Sequence, residues 1–247
     1  MKKLIIIALF FATNCLFAQD STLVIDYDRT SNWVKMNNTL PYLSKEEKER
    51  MNFAYGKSEG WTEKYIMEIK GDESFYYVDE NYDNDKYQWS NRKDDYKIFR
   101  NYTNQTQKSL IESIGKSYLI EGEILQYKWK ILTEIKEVNG YICMKAETKD
   151  TTKNQKIYAW FTEQIPIPAG PELFEGLPGL ILEIDINDGA TIIQAKNITK
   201  KAPNMNLSTP KKWKGKKVTQ VDYNMVIDKY VKECIKSNRN PYWAIRY

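Results

Sequence analysis

The sequence predicts a mainly β fold, a curved antiparallel sheet or open barrel packed on one or two helices, one of them C-terminal. Three observations predict it. Apolar and polar residues alternate through 61–81 and much of 127–198, the period of half-buried strands. Asn139-Gly140 and Asp188-Gly189 punctuate the second stretch, and such pairs reach positive φ cheaply in the two-residue turns that match strand twist. Beyond Thr219 the period becomes helical, with Tyr223, Val226, Ile227, Tyr230, Val231 and Cys234 at three- and four-residue spacing. The 18 Tyr and 7 Trp suit strands and also binding surfaces.

The chain opens on Met1, Lys2 and Lys3, then an apolar run to Ala12 and a polar step to Ala18 and Gln19. These are the parts of a signal peptide, expected over 1–18, leaving one β-rich domain over 19–247 in the periplasm or cell envelope. The apolar run falls short of the roughly 20 residues of a membrane-spanning helix, and no second span follows, so peripheral contact is the membrane association expected. Loss of Lys2 and Lys3 lowers the formal net charge from +4 to +2, which gives no reason to expect nucleic acid.

Residues 20–35 read as extended. Ser44 stands three residues before Glu47, the capping-box spacing, and predicts a short helix. Two strands follow, broken near Gly71 and Asp72, and another is expected around 96–102. With Asn139-Gly140 as a turn, Val138 faces Tyr141, Ile135 faces Met144 and Lys136 faces Cys143. With Asp188-Gly189 as the second turn, Ile184 faces Ile193 and Leu182 faces Ala195. Connections this short require antiparallel neighbours. Thr219, three residues before Asp222, caps the last helix.

The chain contains no histidine, which removes Ser-His-Asp and Cys-His catalysis and His-based zinc hydrolysis together. No phosphate-binding glycine loop is present and no cofactor is expected. Carboxylate pairs remain: Glu172 with Glu175, and Glu183 with Asp185, the latter about 6–7 Å apart on one strand face. Lys211, Lys212, Trp213, Lys214, Lys216 and Lys217 form a basic patch with an aromatic, suited to anionic lipid, polysaccharide or an acidic partner, or simply to solvation. Cys143 and Cys234 are the candidate disulfide in an oxidising compartment, against two separate buried thiols.

The run Asn139 to Ala146, then Ala159-Trp160-Phe161-Thr162, then Gly170-Pro171-Glu172-Leu173-Phe174-Glu175 followed by Gly176, Leu177, Pro178, Gly179, Leu180 and Ile181, resembles the GLPGLI family of exported Bacteroidetes proteins. The resemblance runs from about 129 to 198, implies an exported location, and supplies no catalytic residue. The bend permitted by Gly176 and Gly179 fits a rigid corner that anchors a loop on the core. It equally fits a cleft rim lined by Trp160, Phe174 and Leu177. The expected function is a non-enzymatic envelope protein binding a hydrophobic small molecule, peptide or another envelope component. The alternatives are an accessory partner of an outer-membrane system without a small ligand and, third, a carboxylate-dependent enzyme.

Overall fold

The computed structural model describes residues 21–79, 96–201 and 207–247. The expected signal peptide therefore lies outside the described residues.

The chain builds a twelve-stranded sheet: β1 (Thr22–Ser31), β2 (Trp61–Lys70), β3 (Glu73–Val78), β4 (Tyr96–Asn101), β5 (Thr106–Ser113), β6 (Lys116–Glu123), β7 (Lys130–Val138), β8 (Tyr141–Asp150), β9 (Gln155–Thr162), β10 (Leu180–Ile186), β11 (Thr191–Lys201) and β12 (Lys216–Val218). Helix α1 (Trp33–Asn38) and helix α2 (Lys45–Tyr55) lie between β1 and β2, and α3 (Gln220–Lys236) follows β12. The strand order is β12-β6-β5-β4-β3-β2-β1-β11-β10-β9-β8-β7, antiparallel throughout except for the parallel β12–β6 pair. The sheet is β-rich and curved but not closed into a barrel, because β12 and β7 remain as its two ends.

The local signals behave as the chemistry requires. Ser44 Oγ accepts from Glu47 N at 3.2 Å while Glu47 Oε2 accepts from Ser44 N at 2.8 Å, closing the capping box of α2. Thr219 Oγ1 accepts from Asp222 N at 3.1 Å and starts α3. Asn139 and Gly140 take φ of 49° and 81°, and the three β7–β8 pairs expected from them are all present. In the β10–β11 hairpin Ile184 opposes Ile193, but the ladder stops at Glu183–Gln194, one step short of Leu182.

One face of the sheet carries an aromatic core. Tyr27, Tyr65, Met67, Tyr76 and Ile98 are each fully buried. Tyr65 stacks on Tyr76 at 5.1 Å, and Tyr76 meets the ring of Tyr96 edge-on at 6.4 Å. The connection 163–179 between β9 and β10 folds over this face. Ile181 N donates to Ala169 O at 2.9 Å, Gly176 N to Pro168 O at 3.1 Å and Tyr27 OH to Ile181 O at 2.6 Å. Arg100 on β4, five strands from β10 in the order, donates Nη1 to Gly170 O at 3.3 Å. A flat sheet could not bring β4 and β10 to one loop, so the sheet wraps around it.

The candidate disulfide is corrected. Cys143 and Cys234 are both free and buried. Cys143 lies on β8, next to one end of the sheet, whereas Cys234 lies on α3, which packs on β6, next to the other end. The two thiols are thus buried on separate elements and form no disulfide.

Candidate functional site

The polar centre of the molecule is built around the carboxylate of Glu172. Period-two alternation along β1 puts Arg29 on the same inward face as Ile25 and Tyr27, and the overlying loop presents Glu172 to it. Arg29 Nε donates to Glu172 Oε1 at 2.9 Å and Arg246 Nε donates to the same oxygen at 2.7 Å. Arg29 also donates to Ser31 Oγ at 2.6 Å and faces Glu63 at 3.3 Å. Arg246 donates to Tyr65 OH at 2.8 Å, and its guanidinium lies 4.2 Å from the ring centre of Tyr96. The Arg100 guanidinium, itself fully buried, also donates to Glu172 O.

Burial opposes ionisation of Glu172, but Arg246 and Arg29 outweigh it and hold the carboxyl below the usual carboxylate range. Three residues on, the balance reverses. Burial pushes Glu175 up to about 7, and Arg100 offsets this only in part. Glu175 Oε1 has no hydrogen-bond partner, while its backbone carbonyl is fixed by Trp129 Nε1 at 2.7 Å. Tyr127, Trp129 and Phe174 pack beside it, with Tyr127 5.7 Å from Trp129 and 5.4 Å from Phe174 between ring centres. The surroundings of the two carboxyls in one loop thus drive their ionisation in opposite directions.

The second carboxylate pair does different work. Glu183 accepts from Lys136 Nζ at 2.6 Å and from Gln194 Nε2 at 2.8 Å, so its oxygens are engaged. Asp185 accepts from Gly189 N at 2.5 Å and ties the β10–β11 turn.

The motif residues form a corner. Gly176 takes φ of +88°, and a Cβ on Gly179 would strike the Thr162 carbonyl. Leu177 is 2% exposed, Leu180 and Ile181 are fully buried, and Pro178 is exposed between the two glycines. Phe174 and Leu177 join the core, whereas Trp160 on β9 is half-buried against it, with Lys136 Nζ 4.4 Å from its ring centre.

In the basic patch, Lys211, Lys212, Lys214, Lys216 and Lys217 are exposed, and Lys217 lies 3.6 Å from Glu121. Trp213 is half-buried, with its ring edge-on to Phe75 at 6.1 Å. That face also holds an open groove of about 340 Å³ lined by Phe75, Tyr77 and Pro210 among others. Among the described residues no helix is long and apolar enough to cross a membrane, and no group of three Cys, Asp or Glu side chains could hold a metal ion.

Residues 147–183 match the model of a family described as a protein of unknown function (Porph_ging). That segment contains Glu172 and Glu175. None of the comparisons connects the chain to the family expected from residues 176–181. No curated protein matches the chain. Among solved structures, PNGF-II in its P21 form is similar at a TM-score of 0.54 and 14% identity over 84% of this chain and 33% of that one. Its C2 form is similar at 0.54 and 15% identity, over 84% and 32%. The chain spans about a third of the solved chains it matches, and at these identities the likeness is one of fold.

These findings correct the expectation of a non-enzymatic binder of a hydrophobic ligand. The fold is similar to part of PNGF-II, and the residues expected to rim an apolar cleft instead fill the core or pack against it. What the loop carries is two buried carboxyls, Glu172 held by Arg29 and Arg246 and Glu175 within the influence of Arg100. Of the readings the sequence allowed, the carboxylate-dependent enzyme accords best with this arrangement.

Proposed function

We propose that the chain is a carboxylate-dependent hydrolase of carbohydrate-bearing substrates, with Glu175 as the general acid and base. The observation that carries this reading is the divergence of Glu172 and Glu175, because environments that drive two neighbouring carboxyls in opposite directions are how a site divides acid–base roles. A group near 7 exchanges its proton readily at neutral pH, and Glu175 Oε1, in a residue only 2% exposed, has no hydrogen-bond partner. Glu172, held ionised by Arg29 and Arg246, positions the loop behind the site. The half-buried Tyr127 and Trp129 offer the flat apolar surface against which a sugar ring packs. The fold shared with PNGF-II supports an enzymatic reading without assigning its substrate. The expected signal segment supports action outside the cytoplasm.

The test is hydrolysis of a panel of aryl glycosides and glycopeptides as a function of pH. Activity with an ionisation near 7 in its profile, lost by roughly 10²–10⁴-fold in Glu175→Gln while circular dichroism is unchanged, is the expected result. A panel left intact by the wild-type protein, or an active Glu175→Gln variant, overturns the assignment.

A further inference from the structure

We propose that β7 is the self-association edge of this protein, pairing antiparallel with β7 of a second copy about a two-fold axis at Ile135. The sheet has two ends, and they differ. β12 presents three residues, whereas β7 presents nine and, among the described residues, has no neighbour on its outer side. Ile131, Ile135 and Ile142, at 50%, 64% and 53% exposure, all belong to the β7–β8 hairpin. A long bare edge beside exposed isoleucines is a template for another strand.

The backbone of that edge is set for pairing at Ile135. In a hairpin with a two-residue turn, the pair that closes the turn, here Val138 and Tyr141, exchanges hydrogen bonds. Antiparallel pairs then alternate between bonded and non-bonded. Lys136–Cys143 is bonded, and Glu137–Ile142 and Ile135–Met144 are not. The N–H and C=O of Ile135 and Glu137 consequently point away from β8, toward the open edge.

Symmetry and charge select the register. A two-fold axis between antiparallel strands must fall where a residue opposes its own copy, since adjacent pairs are inequivalent. An axis at Glu134 or Lys136 opposes identical charges, and one at Thr133 opposes Lys130 to Lys136. An axis at Ile135 opposes Ile135 to itself, sets Glu134 against Lys136 on both sides, and brings Leu132 opposite Val138. Glu134 and Lys136 each have a partner within the chain, Lys145 at 3.2 Å and Glu183 at 2.6 Å, yet their side chains remain 52% and 36% exposed. β7 loses register with β8 between Ile131 and Ile135, so the intermolecular ladder is short and the dimer is weak.

Sedimentation equilibrium of the whole mature protein, from about 1 µM to about 1 mM, tests this. The expected result is a mass that rises from one chain to two. Ile135→Pro removes an N–H that only the dimer uses, at an edge position where proline is tolerated, and leaves a monomer. Glu134→Lys sets like charges opposite each other twice and weakens association roughly tenfold. An Ile135→Cys variant forms a covalent dimer on mild oxidation, because bonded partners lie about 5.5 Å apart at Cα, whereas Ile131→Cys does not. A monomer across the whole range overturns the proposal. So does a dimer that persists undiminished in both Ile135→Pro and Glu134→Lys, or one that leaves Ile135→Cys uncrosslinked.

Discussion

Arg246 Nε and Glu172 Oε1 lie 2.7 Å apart inside the protein, joining the segment that follows α3 to the loop between β9 and β10. Arg29 reaches the same oxygen from β1, so one carboxylate holds three distant parts of the chain together. Glu172 pays for this position with a φ of 52°, a left-handed backbone that favours glycine or asparagine.

Removing the negative charge leaves two buried guanidiniums with Glu63, 3.3 Å from Arg29, left to offset them. Glu172→Gln is expected to destabilise the fold by about 3–5 kcal/mol, the usual result of breaking a buried ion pair from one side. Urea unfolding checks this through a lower midpoint at an unchanged slope. A loss below about 1 kcal/mol would mean that the centre is solvated like a surface pair.

The two glycines of the corner predict different costs. Gly176→Ala meets open space and suffers only the left-handed backbone, about 1–2 kcal/mol. At Gly179 the backbone is not left-handed, but a Cβ has no room beside Thr162 and Glu163, and the strand entry must move. Gly179→Ala is therefore expected to cost more than Gly176→Ala, by about 1 kcal/mol or more, in parallel thermal melts. The reverse order would show that the corner yields easily and does not anchor the loop.

Burial pushes the Cys143 thiol up to about 11, and Cys234 is 1% exposed. Both are expected to resist alkylation at pH 8 in the native protein and to react promptly in denaturant, Cys143 because the thiolate is the reactive form and Cys234 because it is buried. Intact mass spectrometry after alkylation in denaturant, without a reductant, distinguishes the cases. Label on both residues matches the free thiols, and an unlabelled pair contradicts them.

Much of the sheet was legible because its cues are local. Asn139-Gly140 sets the β7–β8 register through two positive φ angles, and Ser44 with Glu47 starts α2, each within four residues. The candidate site was only half legible. Glu172 and Glu175 stood out as a carboxylate spacing, but what holds Glu172 ionised lies 143 and 74 residues away, in Arg29 and Arg246, and what raises Glu175 is burial by the folded chain, which Arg100 on β4 offsets only in part. Alternation could have flagged Arg29, a charged residue on the inward face of β1 between Tyr27 and Ser31. Arg246 follows α3 without any period to place it, and only the wrapping of the sheet brings it to Tyr65 and Tyr96. The disulfide failed for the same reason, since compartment and cysteine count carry no information about which end of a sheet each thiol occupies.

The opposed carboxyls also set how stability depends on pH. Glu172 has a lowered folded-state pKa, so its contribution is present above the ordinary carboxylate value and is lost as pH falls through the lowered one. Glu175 has a folded-state pKa of about 7 against an ordinary 4.5, so the folded protein binds the extra proton between those values. Stability from this group is full below about 4.5, declines as pH rises, and is gone above about 7. Glu175→Gln keeps the neutral form at every pH. Its Tm should match that of the wild type near pH 4 and exceed it at pH 8, by on the order of a few degrees. A variant that is both inactive and more stable at pH 8 is the signature of a group strained for its chemistry. Parallel Tm–pH curves for the two proteins would refute the raised pKa and remove the physical basis for assigning Glu175 the proton transfer.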